Sequence, residues 1–446
     1  MGFERYPISY RSLVVGVEEK IPLANGAWIT GINFDNAATT PPFYHVMEEI
    51  YRFAPWYSSI HRGTGYKSRL SSSMYEMSRN IVADFVGADR RKDVVIFVKN
   101  TTEAINKLSY RLRDEKGKDV ILSTYMEHHS NDLPWRGKFT VDYIGVDEDG
   151  RLSLPHLKEK LDQYRGRVKL VTITGASNVT GYINPIHEIA RMAHRNHARI
   201  MVDGAQLVPH VSVNMHPSDP EEEIDFLVFS GHKMYAPFGT GVLIGPKSLF
   251  EQGQPEFPGG GTVDLVTHDY IRWNPPPQKE EGGSPNVMGT VALSAAIHTL
   301  QYIGMNNIAA YEERLRQYAH YVLKDIPGIH LYTDASDHRP SVGIIPFNLD
   351  GIHHETTANI LSFEEGIAVR SGCFCAQPYV QRLLKLSGDD IQKHIRAPSR
   401  YRPGVVRISF GLYNTYDEID RLAASLRKIM AYKHAYLQKY DPGFLR

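Results

Sequence analysis

Asp225-Phe-Leu-Val-Phe-Ser-Gly-His-Lys-Met-Tyr-Ala-Pro-Phe-Gly-Thr-Gly241 reads as a buried strand that runs straight into Ser230-Gly-His-Lys233. The run Ile224 to Phe229 is short, apolar and rich in β-branched and aromatic residues, which predicts a strand covered on both faces. Such a strand delivers whatever follows it to the carboxyl edge of an α/β sheet, where ligands usually bind. Ser230, Gly231 and His232 then place a hydroxyl, a flexible backbone and a ring beside one amine. Lys233 is therefore a candidate covalent anchor, able to form a Schiff base with a carbonyl cofactor. On this stretch alone, a strand ending in an ordinary surface lysine fits as well.

Working outward, the same pattern of apolar strand and polar end recurs. Val94 to Val98 is followed by Lys99-Asn-Thr-Thr-Glu-Ala-Ile-Asn106, where Thr101 or Thr102 can cap a helix whose first amides form an anion site. Val120 to Thr124 leads into Glu127-His-His-Ser-Asn131, a polar loop or one in which a histidine lies flat over an aromatic ligand. Val168 to Thr174 leads to Asn178. Arg199 to Val202 ends in Asp203, where an unpaired carboxylate is costly to bury. A protonated pyridine nitrogen or a neighbouring basic side chain would each satisfy it. Strands alternating with helices from about 94 to 245 predict a doubly wound, mainly parallel sheet. Glycine-rich loops at 258–262 and 281–286 precede a helix over about 287–304. They permit close approach to a phosphate, although surface turns also explain them.

A chain of 446 residues is long enough for two domains. We divide it into an extension over 1–33 packing with the smaller domain, a large domain over 34–300, and a smaller α+β domain over 301–446. The extension carries a predicted strand, Leu13 to Val17, and a turn at Asn25-Gly26. A long amphipathic helix is expected from about Ser71 to Val86. Formal charge balances at 50 basic and 50 acidic residues, so no bulk field argues for nucleic acid or an anionic membrane. His61-Arg-Gly-Thr-Gly65 lacks the spacing of a dinucleotide loop. No apolar leader, spanning segment or myristoylation signal is evident, which predicts a soluble, cytoplasmic protein. The two cysteines, Cys373 and Cys375, sit two positions apart. They make no disulfide framework and, with no second pair, no zinc site. Their clustering points to chemistry, with a pair of small buried hydrophobes as the alternative.

The ordered series FDNAATT (34–40), HRG (61–63), TTEAIN (101–106), EHHSN (127–131), SNVTG (177–181), DGAQ (203–206), SGHK (230–233), GGSPN (282–286) and RSGCFCAQP (370–378) resembles fold-type I pyridoxal phosphate (PLP) enzymes of the class V aminotransferase group. It is most similar to the SUF-type, group II, cysteine desulfurases and selenocysteine lyases. The resemblance implies a fold-type I PLP-dependent transferase in which Lys233 holds PLP, Asp203 pairs with its pyridinium nitrogen and His128 stacks on its ring. Gln206 would address the phenolic oxygen and Asn178 the edge shared by cofactor and substrate. Thr102, Ser230 and His232 would hold the phosphate, with Gly283 and Ser284 supplied by the other subunit of a homodimer. Arg407 would grip the substrate carboxylate, with Arg370 close by, although each arginine could instead form an interdomain salt bridge.

By its place in the motif, Cys375 would be the thiolate that takes sulfur from L-cysteine, leaving alanine and an enzyme persulfide for a sulfur-acceptor protein. Group II enzymes commonly carry His-His before this cysteine, where the chain has Cys373-Phe374, an element that also resembles molybdenum-cofactor sulfurases. Cys373 would then relay the persulfide or simply pack. The alternatives in other classes are a lyase releasing sulfide or selenide, a related transaminase or epimerase, and a PLP-fold scaffold that binds a partner.

Overall fold

The structure is a computed structural model that describes residues 10–113, 115–334, 336–396 and 402–441. The first nine residues of the extension, where a myristoylation signal is looked for, lie outside the described residues.

The strand Phe226–Ser230 is buried along its whole length. Leu227 and Phe229 enter one apolar core and Phe226 and Val228 another, as the two-residue repeat of a pleated strand requires. Asp93–Val98 divides in the same way, with Val95 and Phe97 on one side and Val94, Ile96 and Val98 on the other. These cores cover the two faces of a seven-stranded sheet. Its spatial order is Asp93–Val98, Gly241–Pro246, Phe226–Ser230, Arg199–Asp203, Val168–Thr174, Val120–Thr124 and Thr140–Ile144.

The five strands from Thr140–Ile144 to Phe226–Ser230 pair in parallel. Gly241–Pro246 runs against both of its neighbours, with Gly241 opposite Ser230. The link between Ser230 and Gly241 is too short for a crossover helix, so the chain can only double back. That forced return builds the compact Gly231–Lys233 turn at the sheet's edge.

Helix Thr101–Arg113 lays Ala104, Ile105, Leu108 and Leu112 on the second core. Helix Val287–Ile303 is buried nearly all round, which accounts for its run of apolar and small residues without a polar face. The long amphipathic helix spans Tyr66–Phe85, beginning well before Ser71. Its first turns escape apolar periodicity because they bury serines: Ser68 donates to Ser59 O, and Ser71 Oγ accepts from Ser58 N–H.

A second sheet has the order Ile329–Leu331, Ile344–Leu349, Val405–Ser409 and Arg370–Gly372, antiparallel throughout. Helices Met305–Leu323, His354–Glu365 and Tyr416–Ala431 contribute to its core, which also takes in Ile32 and Phe34. Strand Ile32–Asn33 pairs with Ile367–Ala368, and Ser409 N–H donates to Phe34 O. Asp35 therefore emerges beside Val405–Ser409, facing the first sheet's edge.

The expected strand Leu13 to Val17 does not form. Residues Tyr10–Leu13 make a 3₁₀ turn, and only Val14 bridges to Phe43. Arg11 accounts for the difference: its guanidinium donates to Val17 O, Glu18 and Glu418 at once, closing the segment on itself. The pairing strands lie either side of Asn25-Gly26, as the hairpin Lys20–Pro22 and Trp28–Thr30.

Candidate active site

The carboxyl edge of the first sheet and the strands of the second enclose a cavity of about 250 Å³. Lys233, Asp203, His128, Gln206, Asn178, Ser230, His232, Thr102, Arg370, Arg407 and Cys375 all line it. Gly283 and Ser284 do not; they are exposed within this chain. Cys373 lines a different cavity, of about 280 Å³, with His394 and Arg402.

Lys233 reaches the cavity from the Gly231–Lys233 turn. Burial pushes its amine down to about 8, opposed by the charge of Asp203. Asp203, 4% exposed at the end of its strand, accepts from Ala205 N–H at 3.0 Å. Burial raises its pKa, and the Lys233 charge holds it back. Asp203 is the main compensation for Lys233, whereas Asp203 itself is compensated first by the Ala205 N–H and then by Lys233.

His128 opens the 3₁₀ turn His129–Asn131. Ser130 N–H donates to His128 Nδ1 at 3.1 Å, which leaves the ring proton on Nε2. Burial, then the positive charge of Lys233, pushes this ring down to about 3, so it stays neutral. Glu127 supports the loop from below, accepting from Thr124 Oγ1, Asn131 Nδ2 and Thr174 N–H at 2.6, 2.6 and 2.9 Å. Its pKa is pushed to about 8 by burial.

Helix Thr101–Arg113 points its first turn at the cavity. Its cap is Asn100, whose Oδ1 accepts from Glu103 N–H at 3.0 Å, not either threonine. The threonines are engaged otherwise: Thr101 N–H and Oγ1 meet Ser230 Oγ at 2.9 and 2.7 Å, and Thr102 Oγ1 meets Ser130 Oγ at 2.7 Å. His232 Nδ1 lies 3.2 Å from Thr39 Oγ1, and burial pushes its ring down to about 4. Gln206 gives its amide N–H to Ala37 O at 2.6 Å, so its buried Oε1 is left without a partner.

Arg407, 2% exposed, enters from the second sheet. It donates to Asp35 Oδ1 and Asn178 O, both at 2.9 Å, while its buried Nε has no partner. Burial pulls this guanidinium down to about 10. Arg370 is exposed and lies 3.5 Å from the other oxygen of Asp35.

Phe374 and Cys375 both have left-handed backbones, at φ +51° and +56°, a conformation costly for side chains of this size. Three contacts hold it. Asn178 Nδ2 donates to Phe374 O at 2.7 Å, His129 N–H donates to Cys375 O at 2.6 Å, and the Arg407 guanidinium lies 4.7 Å from the Phe374 ring centre. The turn sends the two thiols apart: Cys375 is exposed to the first cavity, while Cys373 donates to Pro403 O at 3.2 Å. Burial raises the Cys373 thiol.

Asp35, Phe374 and Ser130 belong to the site but carried no assignment from sequence. All three lay within quoted motifs; Ser130 stands two positions from His128, whereas no residue of 34–40 was assigned a role. Among the described residues no cluster of three or more His, Cys, Asp or Glu could hold a metal ion.

Residues 32–422 match the family model for aminotransferase class-V. The chain is 36% identical over 404 residues to a cysteine desulfurase of Haloferax volcanii, covering 89% of this chain and 88% of that one. It is 38% identical over 385 residues to a cysteine desulfurase of Dickeya dadantii, covering 84% and 85%. Among solved structures it resembles the apo cysteine desulfurase from Thermococcus onnurineus NA1, with a TM-score of 0.80, 31% identity and coverage of 96% and 99%.

Proposed function

This chain belongs to the aminotransferase class-V family, and we propose that it is a PLP-dependent cysteine desulfurase, converting L-cysteine to L-alanine and keeping the sulfur as a persulfide on Cys375. The observation that carries the reading is the shared cavity: a buried amine with a depressed pKa, a buried carboxylate, a neutral imidazole, a buried arginine and one thiol line the same space.

The residues fit the cofactor. Lys233 supplies the amine that captures an aldehyde, and Asp203 the buried anion that a pyridinium nitrogen would neutralise. His128 offers an uncharged aromatic face. Thr102, Ser230 and His232 gather hydroxyl and ring donors at a helix amino terminus, the usual setting for a phosphate. Gly283 and Ser284 would complete that phosphate site from the second subunit of a homodimer. Gln206 presents an acceptor, so it would meet a phenolic oxygen that carries a proton, or turn its amide over at the cost of the Ala37 bond. When bound, PLP supplies an electron sink at the substrate's alpha carbon.

The chain's own residues do the rest. Arg407, with Nε free, receives the substrate carboxylate, while Asn178 stays fixed by its bonds to Phe374 and Arg407. Lys233 Nζ, held near 8, both takes and returns a proton near neutral pH. The Cys375 thiolate attacks the substrate sulfur; a sulfur–sulfur bond forms, the carbon–sulfur bond breaks, and the released carbon is protonated to give alanine. The persulfide then waits for a sulfur-acceptor protein. Two free cysteines fit a reducing compartment such as the cytoplasm, and among the described residues no helix is long and apolar enough to cross a membrane.

Incubation of the purified protein with L-cysteine tests the reading. A cofactor absorption band lost in Lys233→Ala, with alanine as the carbon product, is expected; pyruvate with free sulfide would replace the desulfurase by a lyase.

A further inference from the structure

Arg407 and Arg370 approach the cavity together, and one carboxylate stands between them. Asp35 takes Arg407 Nη2 on Oδ1 at 2.9 Å and faces Arg370 Nη1 with Oδ2 at 3.5 Å. It does so from outside the cavity lining. Its own place is fixed by Asn33 Oδ1, which accepts from Asp35 N–H at 2.9 Å, and by a bridge to Ser409 in the strand of Arg407. Arg407 is 2% exposed, and water cannot balance a guanidinium so deeply buried. In the free site Asp35 is its counter-ion.

We propose that Asp35 is a positioning residue that sets the net charge of the carboxylate subsite, acting as a built-in competitor for the arginine pair. Two cations and one anion leave a single positive charge, which the carboxylate of one amino acid closes. Without Asp35 the subsite would carry two positive charges, that of Arg407 deeply buried, and would retain product carboxylates and inorganic anions. The inference rests on the reading that Arg407 receives the substrate carboxylate.

Asparagine at this position keeps an oxygen for Arg407 Nη2 and removes only the charge. In the holoenzyme, Asp35→Asn is expected to bind L-alanine at least fivefold more tightly than wild type and to become inhibited by sulfate. Binding of L-alanine methyl ester, which lacks the anion, is expected to stay within twofold. A purely structural loss would weaken both ligands alike. Arg370→Gln, at an exposed side chain, carries the test if Asp35→Asn does not fold: it is expected to weaken L-alanine several-fold and leave the ester unchanged. The proposal is overturned if wild type prefers L-alanine to its ester and either variant leaves that preference untouched, or if Asp35→Asn weakens L-alanine. If wild type and Arg407→Ala bind acid and ester alike, the carboxylate reading of Arg407 has failed instead.

Discussion

The backbone N–H of His129 donates to the carbonyl of Cys375 at 2.6 Å, and its ring Nε2 accepts from Gln377 N–H at 3.3 Å. One residue therefore clamps the two successive peptides that follow the exposed thiol. Removing the ring acceptor from a half-buried N–H costs about 1–2 kcal/mol, so His129→Leu should lower the rate of alanine formation roughly five- to thirtyfold with the cofactor band intact. His129→Gln, which restores an acceptor oxygen, should recover most of that rate. Equal loss in both variants would show that the clamp does not act through this bond.

The amine of Lys233 should titrate early. Burial disfavours its charged form and brings the pKa down to about 8. At pH 7 roughly a tenth of it is then neutral, against about 0.03% for an ordinary lysine. Capture of an added aldehyde cofactor by cofactor-free protein, followed by absorbance, should rise about tenfold per pH unit below pH 7, about fivefold from pH 7 to pH 8, and level off by about pH 9. A plateau reached only near pH 10 would contradict the shift.

Cys373 opens on its own cavity with its thiol on Pro403 O. Alanine formation in Cys373→Ser should stay within about threefold of wild type, as for a small change away from the reacting atoms. A loss of tenfold or more would mean that this thiol takes part in turnover.

Glu281 is the buried anchor of the Gly283-Ser284 loop. It accepts from Arg79 Nη1 and Nη2, Tyr75 OH and Phe97 N–H, all between 2.6 and 2.8 Å. Breaking a buried pair by removing one partner costs about 3–5 kcal/mol. Glu281→Ala should lower the thermal midpoint by several degrees and weaken cofactor retention, while the milder Glu281→Gln should fall between. An unchanged midpoint in Glu281→Ala would show that the network is not a strong anchor.

Much of this arrangement was legible in the sequence because each strand announced both its burial and the polar residue at its end. Asp203, Asn178 and Lys233 follow apolar runs, and the sheet brings those ends to one edge. The motif containing Asp35 gave its carboxylate no role, because its charge acquires meaning only when Arg407, far along the chain, is placed against it. Asn100 was overlooked as a cap for a local reason: Thr101 and Thr102 are equally good cap residues one and two positions on, and tertiary bonds to Ser230 and Ser130 decide between them. The left-handed turn at Phe374 and Cys375 has no sequence signature, since neither residue favours it. The apolar pattern over Leu13 to Val17 suggested a strand, but Arg11 pairs with Glu418 and folds the segment back.

On this reading Cys375 takes the sulfur of L-cysteine. The most direct measurement is the mass of each cysteine-containing peptide after a single turnover of the holoenzyme with L-cysteine, alongside alanine released by wild type and by Cys375→Ala. One added sulfur is expected on the Cys375 peptide in wild type, and no alanine above background in the variant. Turnover unchanged in Cys375→Ala, or sulfur found only on Cys373, would contradict this reading.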